Sequence, residues 1–410
     1  MTSDSSATTN MIENKDISEK SALKFVFSLG IVSLCADATY EGARSITGAY
    51  LGTLGASGTI VGLVAGSGEL IGYGLRLFTG YLSDQTRQYW KITTLGYFIN
   101  TLAVPLLALT GTWQAAAALM IAERTGKAIR SPARDVLLSH AAIKVGKGFG
   151  FGLHEALDQI GATLGPLAVA AILYFQFGYR ASFAILAMPA FLGLTVLLVV
   201  QQIYPNPRNF ESAGLEIKGE GLPRLFWVYI GAVGLIGAGY ADFPLIAFHF
   251  HKSAIASDSQ IPLFYAWAMA VDAVAALIFG RLFDRIGISA LIFAVLFSSL
   301  FAPLVFFGNG QQALLGMTLW GIGMGAQESI LKAAVAGLVP ADKRGSAYGI
   351  FNTGYGLSWF LGSLAMGILY DRSITWLAVF SVALQLAAIP VLFLVKKRSL
   401  VTDDRPNSRQ

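Results

Sequence analysis

The stretch from Glu123 to Asp135 reads E-R-T-G-K-A-I-R-S-P-A-R-D and places six ionisable side chains within thirteen residues. Long apolar runs flank it on both sides. Four of the six charges follow the spacing i, i+4, i+7 and i+11, so they lie on one face of a helix. These four are Glu123, Lys127, Arg130 and Arg134. In lipid each charge at the bilayer centre costs about 3 kcal/mol, so this face must meet a partner or a water-filled cavity.

The composition of the whole chain is that of a polytopic membrane protein. Of the 410 residues, 55% are hydrophobic and only 13% are charged, whereas soluble domains carry about 25% charged residues. The net charge of +5 does not indicate nucleic-acid binding, because the basic residues lie in short segments between apolar runs and there set membrane orientation. The single cysteine, Cys35, excludes an intrachain disulfide and a cysteine metal cluster.

Because about twenty apolar residues cross the hydrocarbon core, the sequence predicts an all-α membrane protein with twelve spans. A polar segment, 203–223, separates two expected six-helix bundles, 22–202 and 224–397, which are flanked by tails 1–21 and 398–410. The spans, numbered 1 to 12, lie near residues 22–51, 58–82, 91–110, 113–139, 148–174, 180–202, 224–250, 260–283, 288–307, 311–337, 345–370 and 374–396.

The distribution of basic residues predicts the orientation of the chain in the membrane. Most of them fall in the termini, the segment 203–223 and the loops on one side, whereas the opposite loops offer mainly Arg180, Lys252 and Arg372. By the positive-inside rule we expect both termini to be cytoplasmic, in a bacterial inner membrane. The polar N-terminus lacks the basic region of a cleavable signal peptide, so span 1 is expected to act as an uncleaved insertion signal.

The two halves of the chain share sequence features. Gly80-Tyr-Leu-Ser-Asp84 recurs as Gly280-Arg-Leu-Phe-Asp284, and Tyr40 has its counterpart in Tyr240 at the same offset of 200 residues. Related halves around a central loop imply parallel repeats, with a ligand site near the bilayer midplane at their interface.

With these features the chain resembles the major facilitator superfamily of secondary transporters, from about residue 22 to 397. The loop between spans 2 and 3 in that family reads G-x-x-x-D-R-x-G-R. Gly80, Asp84 and Arg87 stand in the matching loop here, although Gln85 replaces the first arginine of the pattern. The second copy of the loop matches better, with Gly280, Asp284, Arg285 and Gly287.

Span 5 carries a partial resemblance to the drug/proton antiporters of the same superfamily. Gly161-Ala-Thr-Leu-Gly165-Pro166 is similar to their G-x-x-x-G-P motif. In that branch the motif usually continues to a Gly-Gly pair, where this chain has Val169 and Ala170. The resemblance implies proton antiport, and the departure leaves that implication open.

The signature loops are expected to form a gate at the cytoplasmic end. Glycine allows close helix approach, and an aspartate at the end of span 2 can cap a neighbouring helix or pair with an arginine. Such a contact stabilises the outward-facing state and breaks when the halves rock. The alternative is a plain turn with a solvated charge. The expected gate residues are Gly80, Asp84, Arg87, Arg130, Arg134, Gly280, Asp284 and Arg285.

Ionisable residues within the spans are candidates for substrate binding or proton coupling. In span 1, Asp37, Glu41 and Arg44 share a face; a carboxylate without a partner favours its neutral form there, as a proton carrier requires, and the alternative is a permanent ion pair. The full candidate set is Asp37, Tyr40, Glu41, Arg44, Glu69, Glu123, Arg124, Lys127, Glu155, Asp158, Asp242, Asp272 and Glu328.

Some of these candidates have foreseeable partners in the sequence and others do not. Glu155 and Asp158 are three residues apart and could meet Arg130 or Arg134, while His154 is either a satisfied polar residue or a proton relay. In the second half, Glu328 and Lys332 are spaced i, i+4, so their alternative is an internal salt bridge. Asp242 has no local partner and is the better candidate for titration.

The helix of the opening stretch divides into two groups around Pro132, which bends or loosens it. Glu123, Arg124 and Lys127 are expected near the midplane, in substrate or coupling chemistry. The cations nearer the cytoplasmic mouth, Arg130 and Arg134, are expected to join Asp84 and the acids of span 5 in the gate.

Several classes of chemistry lack their sequence signals. There is no phosphate-binding P-loop and no serine nucleophile elbow, so neither an enzyme nor an ATP-driven pump is predicted, and no cofactor is expected. His249-x-His251 lacks an evident third ligand, so no metal site is predicted. We expect the chain to function as a monomer within the lipid bilayer.

The resemblance implies a transporter that alternates between inward-open and outward-open states. We expect proton-coupled export of a small organic compound; proton-coupled uptake and facilitative uniport are alternatives. A receptor or scaffold on the same fold is the alternative of another class, and the costly charges within the membrane argue against it. The cations Arg44, Arg124, Lys127 and Arg130 suggest an anionic or zwitterionic substrate, unless the nearby acids neutralise all of them.

Overall fold

The computed structural model describes residues 19–205, 221–340 and 343–403, and every regular element in these ranges is a helix. The predicted tail before residue 19, residues 206–220 of the predicted linker and residues 404–410 lie outside the described residues. The helices are α1 (Glu19–Thr53), α2 (Gly58–Thr86), α3 (Tyr89–Leu106), α4 (Trp113–Val145), α5 (Lys147–Tyr174), α6 (Gly178–Ile185), α7 (Ala187–Ile203), α8 (Arg224–Gly239), α9 (Phe243–Lys252), α10 (Gln260–Ile286), α11 (Ile288–Ser298), α12 (Phe301–Phe307), α13 (Gly310–Leu338), α14 (Arg344–Arg372) and α15 (Ile374–Asp403).

These helices form the twelve spans that the sequence predicts, in two six-helix bundles. Three spans consist of two consecutive helices each, α6–α7, α8–α9 and α11–α12, and a short 3₁₀ turn continues α3. Nine of the twelve described spans are long and apolar enough to cross a membrane by themselves. The remaining three, α4, α13 and α14, are more polar. The chain is therefore a multi-pass membrane protein.

Span 7 is broken in the middle of its apolar run. The chain leaves helical geometry between α8 and α9, where Asp242 has extended backbone angles and occupies the N-cap position of α9. Pro244 follows within the first turn of α9, where the missing N–H of proline costs nothing and its ring disfavours helix just before it. The break brings the Asp242 side chain to the depth of the membrane, and the Gly239 and Ala241 carbonyls there accept hydrogen bonds from Ser381 and Trp320.

Helices α1 and α5 pack backbone to backbone through the glycines of the G-x-x-x-G-P motif. Gly161 lies against the main chain of Leu34, and Gly165 lies against the main chain of Ala38. A side chain at either glycine would collide with a carbonyl oxygen of α1. These glycines therefore have a packing role, because small residues let membrane helices approach closely.

We expect Gly165→Val to lower the yield of folded, monodisperse protein several-fold, because overpacking of this kind costs about 1–3 kcal/mol. The measurement is size-exclusion chromatography of the detergent-solubilised protein together with its thermal unfolding midpoint. Gly231→Val in α8 is the matched control, since no atom lies within 4 Å of the position its Cβ would take. Equal yields and midpoints for the two variants would contradict the packing role.

The two bundles meet most closely at one end of the molecule. We call this end, where α1 passes into α2, the Gly55 end, and the opposite end, where α2 passes into α3, the Arg87 end. Near the Gly55 end, Gly62 of α2 lies against the backbone of Gly367 in α14, and Gly48 of α1 lies against the backbone of Pro244.

Toward the Arg87 end the contact between α2 and α14 changes in kind. It continues there through side chains, with Tyr73 against Gly356 and Leu77 against Gly349. Among the described residues, the glycines that bring main chain against main chain between the bundles lie in the half toward the Gly55 end.

Candidate functional site

A largely buried arginine in the last third of α1, Arg44, joins the two bundles. The guanidinium of Arg44 lies 2.7 Å from the Asp242 carboxylate and 3.1 Å from the Glu69 carboxylate, with Glu41 at 3.9 Å. Glu69 belongs to α2 of the same bundle, whereas Asp242 lies in the break of span 7 in the second bundle. One cation thus serves carboxylates from both sides of the interface.

A second polar contact crosses the interface beside the first. The Tyr265 hydroxyl of α10 donates a hydrogen bond to the Glu41 carboxylate of α1. Both residues are buried, as is Asp242, which is 2% exposed. Buried charges of this kind are costly without partners, so each of these groups needs a new partner if the bundles separate here.

The sequence analysis expected no local partner for Asp242, and along the chain there is none. The structure supplies Arg44, which is distant in sequence, so Asp242 is an ion-paired residue in this state and not the free carboxylate that the sequence favoured.

The cluster around Arg44 extends into α4 through Glu123, Arg124 and Lys127, the first group of the charged stretch. Arg124 lies 3.5 Å from the Glu69 carboxylate and 3.4 Å from that of Glu123. The Asn100 amide of α3 donates to Glu123 Oε1 at 2.8 Å. The Lys127 ammonium donates to the Tyr40 hydroxyl and lies 3.8 Å from the centre of its ring.

The second group of the stretch belongs to a separate cluster inside the first bundle. Arg130, which is 1% exposed, lies 3.6 Å from the Asp37 carboxylate and 4.3 Å from the centre of the Tyr97 ring. Arg134 lies 2.8 Å from Asp135 and 3.9 Å from Asp158. The sequence predicts that Arg130 or Arg134 contacts an acid of α5, and the contact observed is that of Arg134 with Asp158.

The hub of this second cluster is a residue that the sequence did not single out. Ser33 Oγ hydrogen-bonds with His154 at 3.1 Å, with Tyr97 at 3.2 Å and with Arg134 at 3.1 Å. A lone serine within an apolar helix carries no signal of this role in the sequence. Glu155 takes no part in the cluster; its hydrogen bond is to Gln159 at 3.4 Å.

Two acidic candidates of the second bundle have no cation partner among the described residues. Asp272 of α10 is 2% exposed, and its Oδ1 has no hydrogen-bond partner. Glu328 of α13 is solvent-accessible, and no described cation lies within 4.0 Å of its carboxylate. The internal salt bridge between Glu328 and Lys332, the alternative for that pair, is therefore not formed.

The residues expected to form a gate at the Arg87 end make no hydrogen bond or ion pair to the opposite bundle anywhere in the described residues. The Asp84 carboxylate accepts a hydrogen bond from the Tyr89 hydroxyl at 3.5 Å, and Asp284 and Arg285 are exposed.

The glycines of the expected gate contact their own bundles. Gly80 has Pro132 of its own bundle 3.6 Å from its Cβ position, and Gly280 has Ser329 at 3.8 Å. Arg87 ends α2 as its C-cap in the left-handed conformation. The expected contact of Asp84 with Arg130 and Arg134 is wrong for this state, because those arginines are held by Asp37 and Asp158.

A carboxylate that the sequence analysis missed closes the Gly55 end instead. Asp371, at the end of α14, accepts hydrogen bonds from the backbone N–H groups of Gly58 and Thr59 at 2.8 and 2.7 Å, and from the Thr59 hydroxyl at 2.6 Å. These are the free donors at the start of α2, in the other bundle. We call this contact the Asp371 latch.

Removing the latch is expected to open the Gly55 end. A carboxylate cap on a helix N-terminus contributes about 1 kcal/mol, so Asp371→Ala should raise the reactivity of a cysteine behind the seal several-fold. The measurement is maleimide labelling of Thr47→Cys, a buried position, in a chain carrying Cys35→Ser. Glu19→Ala, which removes an exposed carboxylate at the start of α1, is the control; labelling at the same rate in both variants would refute the latch.

The space enclosed by the Arg44 cluster is small. A cavity of about 40 Å³ lies between α1, α2 and α4, lined by Tyr40, Arg44, Glu123, Arg124 and Asp242 among others. This volume admits water but not an organic molecule. In this state the cluster is therefore a packed centre between the bundles.

Comparison with known proteins agrees with this architecture. The model of the Major Facilitator Superfamily matches residues 29–326 and 225–410. An uncharacterized protein of Mycobacterium tuberculosis is 41% identical over 383 residues, which cover 92% of this chain and 94% of that protein. An uncharacterized MFS-type transporter of Methanocaldococcus jannaschii is 28% identical over 375 residues, covering 89% of this chain and 92% of that protein.

Solved structures share the fold at low sequence identity. The crystal structure of a bacterial homolog of the human lysosomal transporter Spinster, in an inward-facing and unoccupied conformation, superposes with a TM-score of 0.75. It is 13% identical, and the match covers 94% of this chain and 99% of that one.

Proposed function

The chain belongs to the major facilitator superfamily of transporters, and from that premise we propose that it moves a small organic solute across a bacterial inner membrane by proton-coupled alternating access. The coarse function, membrane transport, follows from the family. The coupling ion, the direction and the membrane are our proposals.

The observation that carries the proposal is the buried Arg44 pair with Asp242 across the interface. If the bundles rock, this pair separates, and a buried charge left without a partner costs about 3–5 kcal/mol. A transporter can meet that cost by giving the freed carboxylate a proton or the freed guanidinium an anionic solute. The pair is thus suited to couple the conformational change to what is bound.

Proton coupling has a second support in the second bundle. Asp272 is buried with an unpartnered oxygen and has no described cation within 4.0 Å. Desolvation without a counter-charge favours the neutral form of a carboxylate, so Asp272 is suited to bind a proton in this state. We assign it the coupling role in preference to Asp37 and Glu41, whose carboxylates have Arg130 and Tyr265 as partners.

We propose that the Arg87 end faces the cytoplasm, as the positive-inside rule suggests, so that this state is open inward. Export by proton antiport is the direction that the G-x-x-x-G-P motif supports. Uptake by proton symport is the second candidate. Gly161 and Gly165 have a packing role that accounts for the motif without antiport, so the motif is compatible with symport.

The experiment is transport of a panel of small organic solutes by the purified protein in proteoliposomes, with a pH gradient of either sign. Antiport predicts solute movement against the proton flux, and symport predicts movement with it. Transport that ignores the gradient would overturn proton coupling, and inactivity across the panel would favour the receptor or scaffold alternative.

A further inference from the structure

Four arginines within the spans already have a carboxylate partner. Arg44, Arg124, Arg130 and Arg134 each lie within 4.0 Å of at least one carboxylate. Three of the four cations that suggest an anionic substrate, Arg44, Arg124 and Arg130, therefore already have a carboxylate partner. Of the others, Lys127 of α4 has the Tyr40 hydroxyl as its partner, whereas Arg76 of α2 and Lys332 of α13 have no described carboxylate within that distance.

The surroundings of Arg76 contain a donor without an acceptor. Its Nε is buried and has no hydrogen-bond partner, and its guanidinium carbon lies 5.5 Å from the centre of the Tyr73 ring. A buried donor in this condition costs about 1–3 kcal/mol until an acceptor reaches it. Arg76 is therefore prepared for an anion that the protein itself does not provide.

Lys332 lies near Arg76 on the opposite bundle. Its side chain is solvent-accessible, and its main-chain carbonyl accepts a hydrogen bond from the Tyr348 hydroxyl of α14 at 3.4 Å. Tyr348 precedes Gly349, which contacts Leu77 next to Arg76, so the two cations lie at the same contact between the bundles. This contact lies toward the Arg87 end, where α2 and α14 meet through side chains.

The positive charges of Arg76 and Lys332 repel each other and so oppose closure of the space between the bundles. An anion bound to both side chains replaces this repulsion with attraction. We propose that the substrate is an organic anion, that its charge is held between Arg76 and Lys332, and that its binding draws the Arg87 half of the bundles together. This inference rests on the proposed transport function and specifies the class of its substrate.

The walls beside the two cations favour a planar apolar body on that anion. Tyr73 is half-buried and packs edge to face against Tyr355 of α14 with ring centres 5.2 Å apart, while Tyr355 and Phe351 are buried behind it. Aromatic surface of this kind binds flat rings, and it already holds the Arg76 guanidinium. Benzoate has this chemistry and serves as the probe, with benzylammonium as the cation of matched shape.

The binding experiment uses the purified full-length protein in detergent. Benzoate is expected to raise the thermal unfolding midpoint saturably, and benzylammonium and sulfate are not. Arg76→Gln and Lys332→Gln should each weaken benzoate binding at least about tenfold, because each removes a charge-assisted hydrogen bond. Arg76→Lys should retain most of the affinity and shows that loss of charge, not misfolding, is responsible. Arg281→Gln in α10 changes an exposed cation and should leave binding unchanged.

The closure is measured separately, with spin labels on Gln85→Cys and Gly337→Cys in a chain carrying Cys35→Ser. Benzoate is expected to shorten the distance between the labels, and the shortening should disappear in Lys332→Gln. Absence of saturable benzoate binding, equal binding of benzylammonium, or unchanged affinity in both glutamine variants would overturn the inference. Because binding needs no gradient, benzoate binding without pH-driven transport would overturn proton coupling alone.

Discussion

Arg44→Gln is expected to abolish transport, with a fall in rate of at least about a hundredfold. The amide cannot neutralise Asp242 and Glu69, which lie 2.7 and 3.1 Å from the guanidinium in the wild-type chain. The buried Asp242 then lacks a counter-charge, whereas Glu69 keeps Arg124 at 3.5 Å, and breaking a buried pair in this way costs about 3–5 kcal/mol. The state sealed at the Gly55 end is therefore lost, and the cycle cannot pass through it.

The measurement is the initial rate of transport in proteoliposomes, with the amount of folded protein determined by size-exclusion chromatography. The double variant Arg44→Gln with Asp242→Asn removes both charges across the interface, so it should recover thermal stability without recovering transport. Arg281→Gln, at an exposed position, is the matched control. Transport by Arg44→Gln at a rate near that of the wild type would show that the pair has no part in the cycle.

Asp272→Asn is expected to abolish accumulation of solute driven by a pH gradient while leaving exchange of solute across the membrane within about threefold of the wild-type rate. The amide has the shape of the neutral acid and fits the buried site, but it cannot release a proton. Since the wild-type carboxylate has no described cation nearby, no ion pair is lost in the variant.

The control for this variant is an aspartate outside the spans. Asp258, in the loop between α9 and α10, lies 2.7 Å from His251, and this hydrogen bond holds the pKa of Asp258 below its usual range. Asp258 therefore stays charged throughout the neutral range, and Asp258→Asn should leave gradient-driven accumulation intact. Accumulation that persists in Asp272→Asn would exclude this residue as the proton carrier.

Hydropathy alone was sufficient to predict nine of the twelve spans, because each of these is an apolar run of the right length, whereas α4, α13 and α14 are more polar. It did not predict the break in span 7, since an average over twenty residues is insensitive to one unwound turn. A local signal was present: an aspartate two residues before Pro244 is typical of a helix start.

The clusters of the site were predictable in part. The spacing of charges in α4 predicted that they share a face, and the structure divides them between two clusters, one around Arg44 and one around Ser33. The partners themselves were not predictable from one sequence, because Arg44 and Asp242 are brought together by tertiary packing of two separate bundles. The Asp371 latch was missed for a related reason. Asp371 lies at the end of a span, where a polar residue usually faces water. Only the packing of α14 against α2 brings its carboxylate to the N-terminus of α2.

The contrast between the two ends of the molecule has a consequence for how the fold diversifies. At the Gly55 end the seal is made of main chain against main chain at Gly48 and Gly62, so a larger side chain at either position has no room. Toward the Arg87 end the facing surfaces are side chains, which can be exchanged without moving a helix. A library of random substitutions should therefore find the sealing half intolerant and the solute-facing half permissive. Such a division allows the same helix framework to transport different solutes, because the side chains that determine specificity lie in the half that can vary.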